Sequence, residues 1–225
     1  MRRRVNKRSR TATRFRPLVG VLEDRRLLSA DVLTYHNDNA RSGVDSSETI
    51  LMPTDVNSST FGKVGFDAVD GKVDAQPLYV AGVSIPGKGT QNVLYVATEN
   101  DSVYAFDADT GAKLWQVSML GPGEVPSDPV HGNQVTPEIG ITATPVIDLN
   151  SDTMYVVAMS KLESGSSTTY IQRIHALDIT SGADKVAPRS IDQSITYPGS
   201  GPGGNGTDVI FNPMQYKERD ALLLV

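Results

Sequence analysis

The chain has no cysteine, which excludes disulfide bridges, thiolate metal sites and cysteine nucleophiles. Only three histidines occur, His36, His131 and His175. Their positions fit no metal-ligand spacing and no nucleophile triad, and there is no Gly-x-Ser-x-Gly elbow. No apolar run approaches the roughly 18 to 20 residues of a membrane-spanning helix, so no such span is expected. Tryptophan occurs once, at Trp115, so a single position supplies the largest amphipathic ring.

Against these absences stands a repeat. Ala105-Phe106-Asp107-Ala108-Asp109-Thr110-Gly111-Ala112-Lys113-Leu114-Trp115 returns 71 residues on as Ala176-Leu177-Asp178-Ile179-Thr180-Ser181-Gly182-Ala183-Asp184-Lys185-Val186. A supersecondary unit that recurs buries its apolar face by stacking on its neighbour. Upstream of each copy lie two further β signals, Gln76–Val80 with Val93–Ala97, then Thr144–Ile147 with Met154–Ala158. Each unit therefore offers three strands before its turn and a fourth after it. Within the units, Ile85–Gly89 and Glu163–Ser167 are extra residues, expected as rim loops.

Residue type explains the repeat without catalysis. Ala105 and Ala176 are small where chains press together. Asp107 and Asp178 bond nearby backbone amides and start a turn, and Gly111 and Gly182 supply its positive φ. Trp115 is large enough to cover the adjoining unit.

The pattern Ala-x-Asp-x-x-x-Gly-x-x-x-Trp is similar to the tryptophan-docking motif of β-propellers of the pyrroloquinoline quinone (PQQ) repeat type. Val93–Trp115 matches it throughout, and the second copy departs at Val186. The resemblance implies an all-β fold, a partial β-propeller of four-stranded antiparallel blades. Residues 74–225 would hold about two blades and, at Arg219–Val225, the first strand of a third. Since a closed ring takes roughly four to eight blades, the rest is expected from a longer chain, with completion by association as the alternative. Residues 31–73 form a leader in which Phe61–Val69 is expected as a ring-closing strand.

The formal charge of −5 hides an asymmetry. Residues 1–30 carry ten arginines and lysines against Glu23 and Asp24, a net of +8, and leave −13 for the body. Such an arm reads as an address. Nucleic-acid binding lacks an accompanying fold or interleaved aromatics. A conventional secretory signal lacks its apolar stretch, because Leu18–Leu22 is too short. Leu22-Glu23-Asp24-Arg25-Arg26-Leu27-Leu28-Ser29-Ala30 resembles the LEPR-XLL motif of large exported bacterial surface proteins, with Asp24 where that motif has proline. The resemblance implies export to the cell surface, periplasm or exterior.

Three motifs invite chemistry and fail on context. Gly201-Pro202-Gly203-Gly204-Asn205-Gly206 fits G-x-G-x-x-G, but Thr207–Phe211 reads as extended chain where a dinucleotide site needs a helix. Asp148–Asp152 opens like a calcium loop, but Thr153 and Met159 stand where that loop needs glycine and glutamate. His175 aligns with Tyr104 of the first unit and is expected to pack as a flat ring, whereas His131 lies in a long loop that can line a central pocket.

No catalytic, cofactor-binding or metal-ligating residue is therefore expected in this segment, and the motif residues are structural. The expected function is an exported, non-catalytic binding or scaffolding module. Its partner would be a protein or a cell-envelope component, with no nucleic acid. The alternative is a fragment of a quinoprotein dehydrogenase, which the resemblance would supply with PQQ and calcium held by residues outside this segment.

Overall fold

Val93–Ala97 and Val103–Phe106 are continuous apolar runs, and the strand geometry divides them between the two faces of one sheet. A computed structural model describes residues 31–46, 48, 51–129 and 135–225. The basic arm and His131 lie outside the described residues. Strands β1 (Leu78–Ile85), β2 (Gly89–Ala97), β3 (Ser102–Asp107) and β4 (Lys113–Ser118) form an antiparallel meander in sequence order. Val93, Tyr95, Ala97, Val103 and Ala105 face the main core, while Val96, Tyr104 and Phe106 form a smaller cluster on the other face.

The second sheet repeats the plan with a divided first strand. Strands β5 (Glu124–Pro126) and β6 (Val146–Asp148) both pair with β7 (Thr153–Ser164), which pairs with β8 (Ser167–Asp178). Beyond β8 lies β9 (Arg189–Ser190), only two residues long. After its second turn the chain makes one bridge, Leu177 with Asp184, and then leaves the edge. Val186 is 63% exposed there, and Pro188 cannot donate to a ladder. A separate exposed hairpin joins β10 (Thr196–Pro198) to β11 (Asp208–Ile210).

Among the described residues the protein is thus all-β, with antiparallel sheets of four, five and two strands, none closed on itself. None of its elements is a helix long and apolar enough to cross a membrane. The main core lies between the two larger sheets. Leu78, Val80, Val93, Tyr95 and Ala105 from the first sheet meet Ile147, Met154, Val156, Leu177 and Ile179 from the second.

Three expectations need correction. Ile85–Gly89 and Glu163–Ser167 lengthen hairpins instead of forming loose loops: Ile85 pairs with Gly89, and Ser164 pairs with Ser167. The flanking residues continue the ladder, and Pro86–Lys88 and Gly165–Ser166 are the hairpin turns. Phe61–Val69 forms no strand, and Val64 and Phe66 are 102% and 78% exposed. The leader instead meets the sheets through Val32, whose amide and carbonyl both bond Tyr79, and Leu33, whose carbonyl accepts from the Ile147 amide at 2.8 Å. Arg219–Val225 also forms no strand, because it has a neighbour on one residue only. The Leu222 amide donates to the Thr144 carbonyl at 3.0 Å, and side chains hold the rest.

Candidate functional site

The two motif turns have the same wiring. The Gly111 amide donates to the Asp107 carbonyl and the Gly182 amide to the Asp178 carbonyl, each at 2.8 Å. The carboxylates cap the turns. Asp107 Oδ1 accepts from the Asp109 amide at 2.9 Å, and Asp178 Oδ1 accepts from the Thr180 amide at 2.8 Å. Gly111 and Gly182 have φ of +73° and +76°, a region where a side chain is strained. Ala105 is fully buried and sits directly across the ladder from Trp115, while Ala176 faces Tyr155.

Trp115 joins the sheets. Its Nε1 donates to the Ile179 carbonyl at 3.2 Å, and the Tyr95 hydroxyl donates to the same oxygen at 3.0 Å. The two rings are tilted, with centroids 5.8 Å apart. A Cβ on Gly182 would lie 2.7 Å from the indole, so that glycine has no side chain because the ring occupies the space. Burial pushes the Tyr95 hydroxyl well above the ordinary phenol range, aided by Asp178 and Asp152.

At one end of this core lies a polar cavity of about 380 Å³, lined by Lys72, Asp74, Thr142, Thr144, Arg219 and Asp220, with Tyr35 at its side. Its walls come from three similar segments, Asp74-Ala75-Gln76, Thr142-Ala143-Thr144 and Asp220-Ala221-Leu222. The first two lead into β1 and β6. They are stitched together: the Gln76 amide donates to Thr144 Oγ1 at 2.9 Å, and Leu222 pairs with Thr144. Arg41 fastens the third segment, donating to the carbonyls of Ala221 and Leu222 at 3.3 and 2.9 Å and to Thr34 Oγ1 at 2.6 Å. Lys72 Nζ meets Asp74 Oδ2 at 2.8 Å on the cavity wall.

Behind the cavity the β2–β3 turn buries two carboxylic acids, Glu99 and Asp101, each 0% exposed. Glu99 Oε2 accepts from the Gly140 amide at 2.8 Å and from Thr142 Oγ1 at 3.0 Å. Its Oε1 has no donor. Burial pushes Glu99 up to about 7, and the neighbouring Asp74 carboxylate adds to the rise. Both Asp101 oxygens lack a donor, and burial, reinforced by Glu99, pushes Asp101 well above the carboxylate range. Asp101 also has φ of +57°, which positions its side chain between the sheets at a backbone cost.

The nearest strong cation is already engaged. Arg173 binds Glu124 through two bonds, at 2.7 and 2.5 Å, and this pairing holds Glu124 down at about 2. His175 is buried, its Nδ1 lies 3.2 Å from Asp184, and desolvation lowers its pKa. His36 stacks on Tyr35 with centroids 3.9 Å apart. Gly201–Gly206 forms the loop of the β10–β11 hairpin, and Asp148–Asp152 forms the β6–β7 turn, where Asp148 Oδ1 accepts from the Asn150 amide. No group of three or more histidines or acids arranged to hold a metal occurs among the described residues.

The structure therefore brings Trp115, Gly182 and the Asp178 turn together. The sequence reading passed over Asp74, Thr142, Asp220 and Glu99. A signal for Asp74 and Thr142 was available: each precedes the alanine of a repeated segment, Ala75-Gln76-Pro77 and Ala143-Thr144-Pro145. Glu99 has none, since an acid between two strands reads as a solvated turn. Fold and site together define an all-β protein of stacked antiparallel sheets with a polar cavity at the start of its repeats. No protein-family model matches the chain, and no curated protein matches it.

Proposed function

We propose that this chain is part of an exported β-propeller of the PQQ repeat type that acts as a non-catalytic binding module, with the polar cavity as its ligand site. One observation carries the reading: Asp74, Thr142 and Asp220, from three segments far apart in the sequence, line a single polar cavity. Convergent polar groups in a concavity of this size favour ligand recognition. The Trp115 contact supports the propeller reading, since it is made between the two copies of the repeat. Export rests on the likeness of Leu22–Ala30 to the LEPR-XLL motif.

The test is to add PQQ with calcium to the protein, following cofactor absorbance and dye-linked oxidation of alcohols and sugars. The expected result is no turnover. Saturable cofactor binding with turnover would replace this reading with the dehydrogenase. For export, residues 1–30 fused to a reporter should carry it out of the cytoplasm, and a reporter retained there would defeat the claim.

A further inference from the structure

The loop of the β10–β11 hairpin holds Asn205 directly before Gly206, and no other asparagine in the chain precedes a glycine. A glycine puts no side chain in the way of its own amide nitrogen, so that nitrogen can close on the side-chain carbonyl of the asparagine before it. Both residues are exposed, and a Cβ built on Gly206 meets nothing within 4 Å. Among the described residues the Gly206 amide has no acceptor, which leaves its proton to solvent.

The electrophile is held more firmly than the nucleophile. Asn205 Oδ1 accepts from the Thr207 amide at 3.0 Å and from the Asp208 amide at 2.8 Å. Thr207 Oγ1 stands 2.9 Å from the same oxygen and 3.0 Å from Asp208 Oδ2, so its one proton serves whichever oxygen carries more charge. Two fixed donors and one that can turn are thus aimed at the atom on which negative charge grows when Asn205 Cγ is attacked.

We propose that the folded hairpin converts Asn205 to aspartate and isoaspartate without an enzyme, with these donors as the oxyanion hole. The Gly206 amide gives its proton to hydroxide, and its nitrogen bonds to Asn205 Cγ and places the negative charge on Oδ1. As the carbonyl re-forms, the Cγ–Nδ2 bond breaks, and Nδ2 takes a proton from water and leaves as ammonia, closing a succinimide. Water then opens the ring. Attack at Cγ restores the main chain and leaves aspartate, whereas attack at the main-chain carbonyl carbon leaves the chain running through Cβ and Cγ as isoaspartate. The sum is one water consumed and one ammonia released, and the loop gains a carboxylate beside Asp208. The isoaspartate also lengthens the main chain inside a loop closed by Asn205 N–H to Asp208 O at 3.0 Å and Gly199 N–H to Thr207 O at 2.8 Å.

Asp70–Gly71 is the internal contrast. Thr98, Asn100 and Ser102 hold the Asp70 carboxylate, and a Cβ on Gly71 would lie 2.9 Å from Asn100, so this pair is fixed against the β2–β3 turn and should stay intact.

The full chain is aged at neutral and mildly alkaline pH. The tryptic peptide 190–217 is then weighed and assayed as a methyl acceptor for an isoaspartyl methyltransferase. In that peptide only Asn205 can close the ring through the following amide, since Asn212 precedes Pro213, which has no N–H. Conversion is expected several-fold faster in the folded chain than in a synthetic 201–210 peptide, and faster by about tenfold per pH unit as the amide deprotonates. Thr207→Val, which keeps both amides and removes the turning donor, should slow it several-fold, and Gly206→Ala should nearly abolish it. An intact Asn205 in the aged chain, a rate no higher than that of the synthetic peptide, or an unchanged rate in Thr207→Val would each overturn the proposal. The comparison with the synthetic peptide uses the unaltered protein, so it decides the matter even where a variant disturbs the hairpin.

Discussion

Gly182 and Gly165 share a left-handed backbone, with φ of +76° and +62°, but differ in what surrounds them. A Cβ at Gly165 meets nothing within 4 Å, whereas one at Gly182 runs into Trp115 and Val117. Gly165→Ala is therefore expected to cost about 1 kcal/mol, the backbone penalty alone. Gly182→Ala should cost at least about 2 kcal/mol more, because the indole must move. Urea denaturation of both variants checks the difference, and equal midpoints would remove Gly182 from the contact. The Ile179 carbonyl gives a second residue-level expectation. It accepts from both Tyr95 and Trp115 inside the core. Tyr95→Phe or Trp115→Phe leaves it one donor, while the double variant leaves it none. The double variant should lose about 1 kcal/mol more than the two single losses added together.

At the scale of elements, Arg41 is the fastening between leader and C-terminal segment, reaching Thr34, Tyr35, Ala221 and Leu222. Arg41→Ala should speed hydrogen exchange at the Leu222 amide while leaving the β7–β8 ladder protected, since the two are separate local openings. Equal acceleration in β7 and β8 would contradict this. The strands of both units were legible because Val93–Ala97 and Met154–Ala158 are short apolar runs rich in β-branched and aromatic residues, and because the two aspartate–glycine turns are spelled out in sequence. The division of β5 from β6 was not legible. Glu124-Val125-Pro126 is too short and too polar to signal a strand, and it forms because β7 is long enough to offer Ser160–Leu162 as partners. Phe61–Val69 misled in the other direction, since its apolar residues find no sheet edge to join.

For the whole molecule, acid and base act on different carboxylates. The folded state holds Glu99 up at about 7 against an ordinary 4.5, so it keeps a proton that the unfolded chain releases first. Stability from this group falls as pH rises from about 4.5 to about 7. Glu99→Gln should accordingly gain in melting temperature relative to the parent across that window, and a constant difference would argue against a buried acid. Glu124 has the opposite sign. Held down at about 2 by Arg173, it stabilises above its ordinary 4.5, and that contribution is lost as pH falls toward 2. Glu124→Gln should flatten the acid limb of the melting profile. This charge pattern was invisible in the sequence, because Glu124 and Arg173 meet across β5, β7 and β8, and Glu99 reaches Gly140 and Thr142 only when the chain folds.

The chain's one indole sits at the joint between the sheets and nowhere else. Its intrinsic fluorescence is therefore a built-in gauge of that joint. Emission should shift when the sheets part, whether or not either sheet has melted. A red shift that precedes the loss of β-sheet circular dichroism would mark undocking as a separate first step, and coincident transitions would mark the two sheets as one cooperative unit.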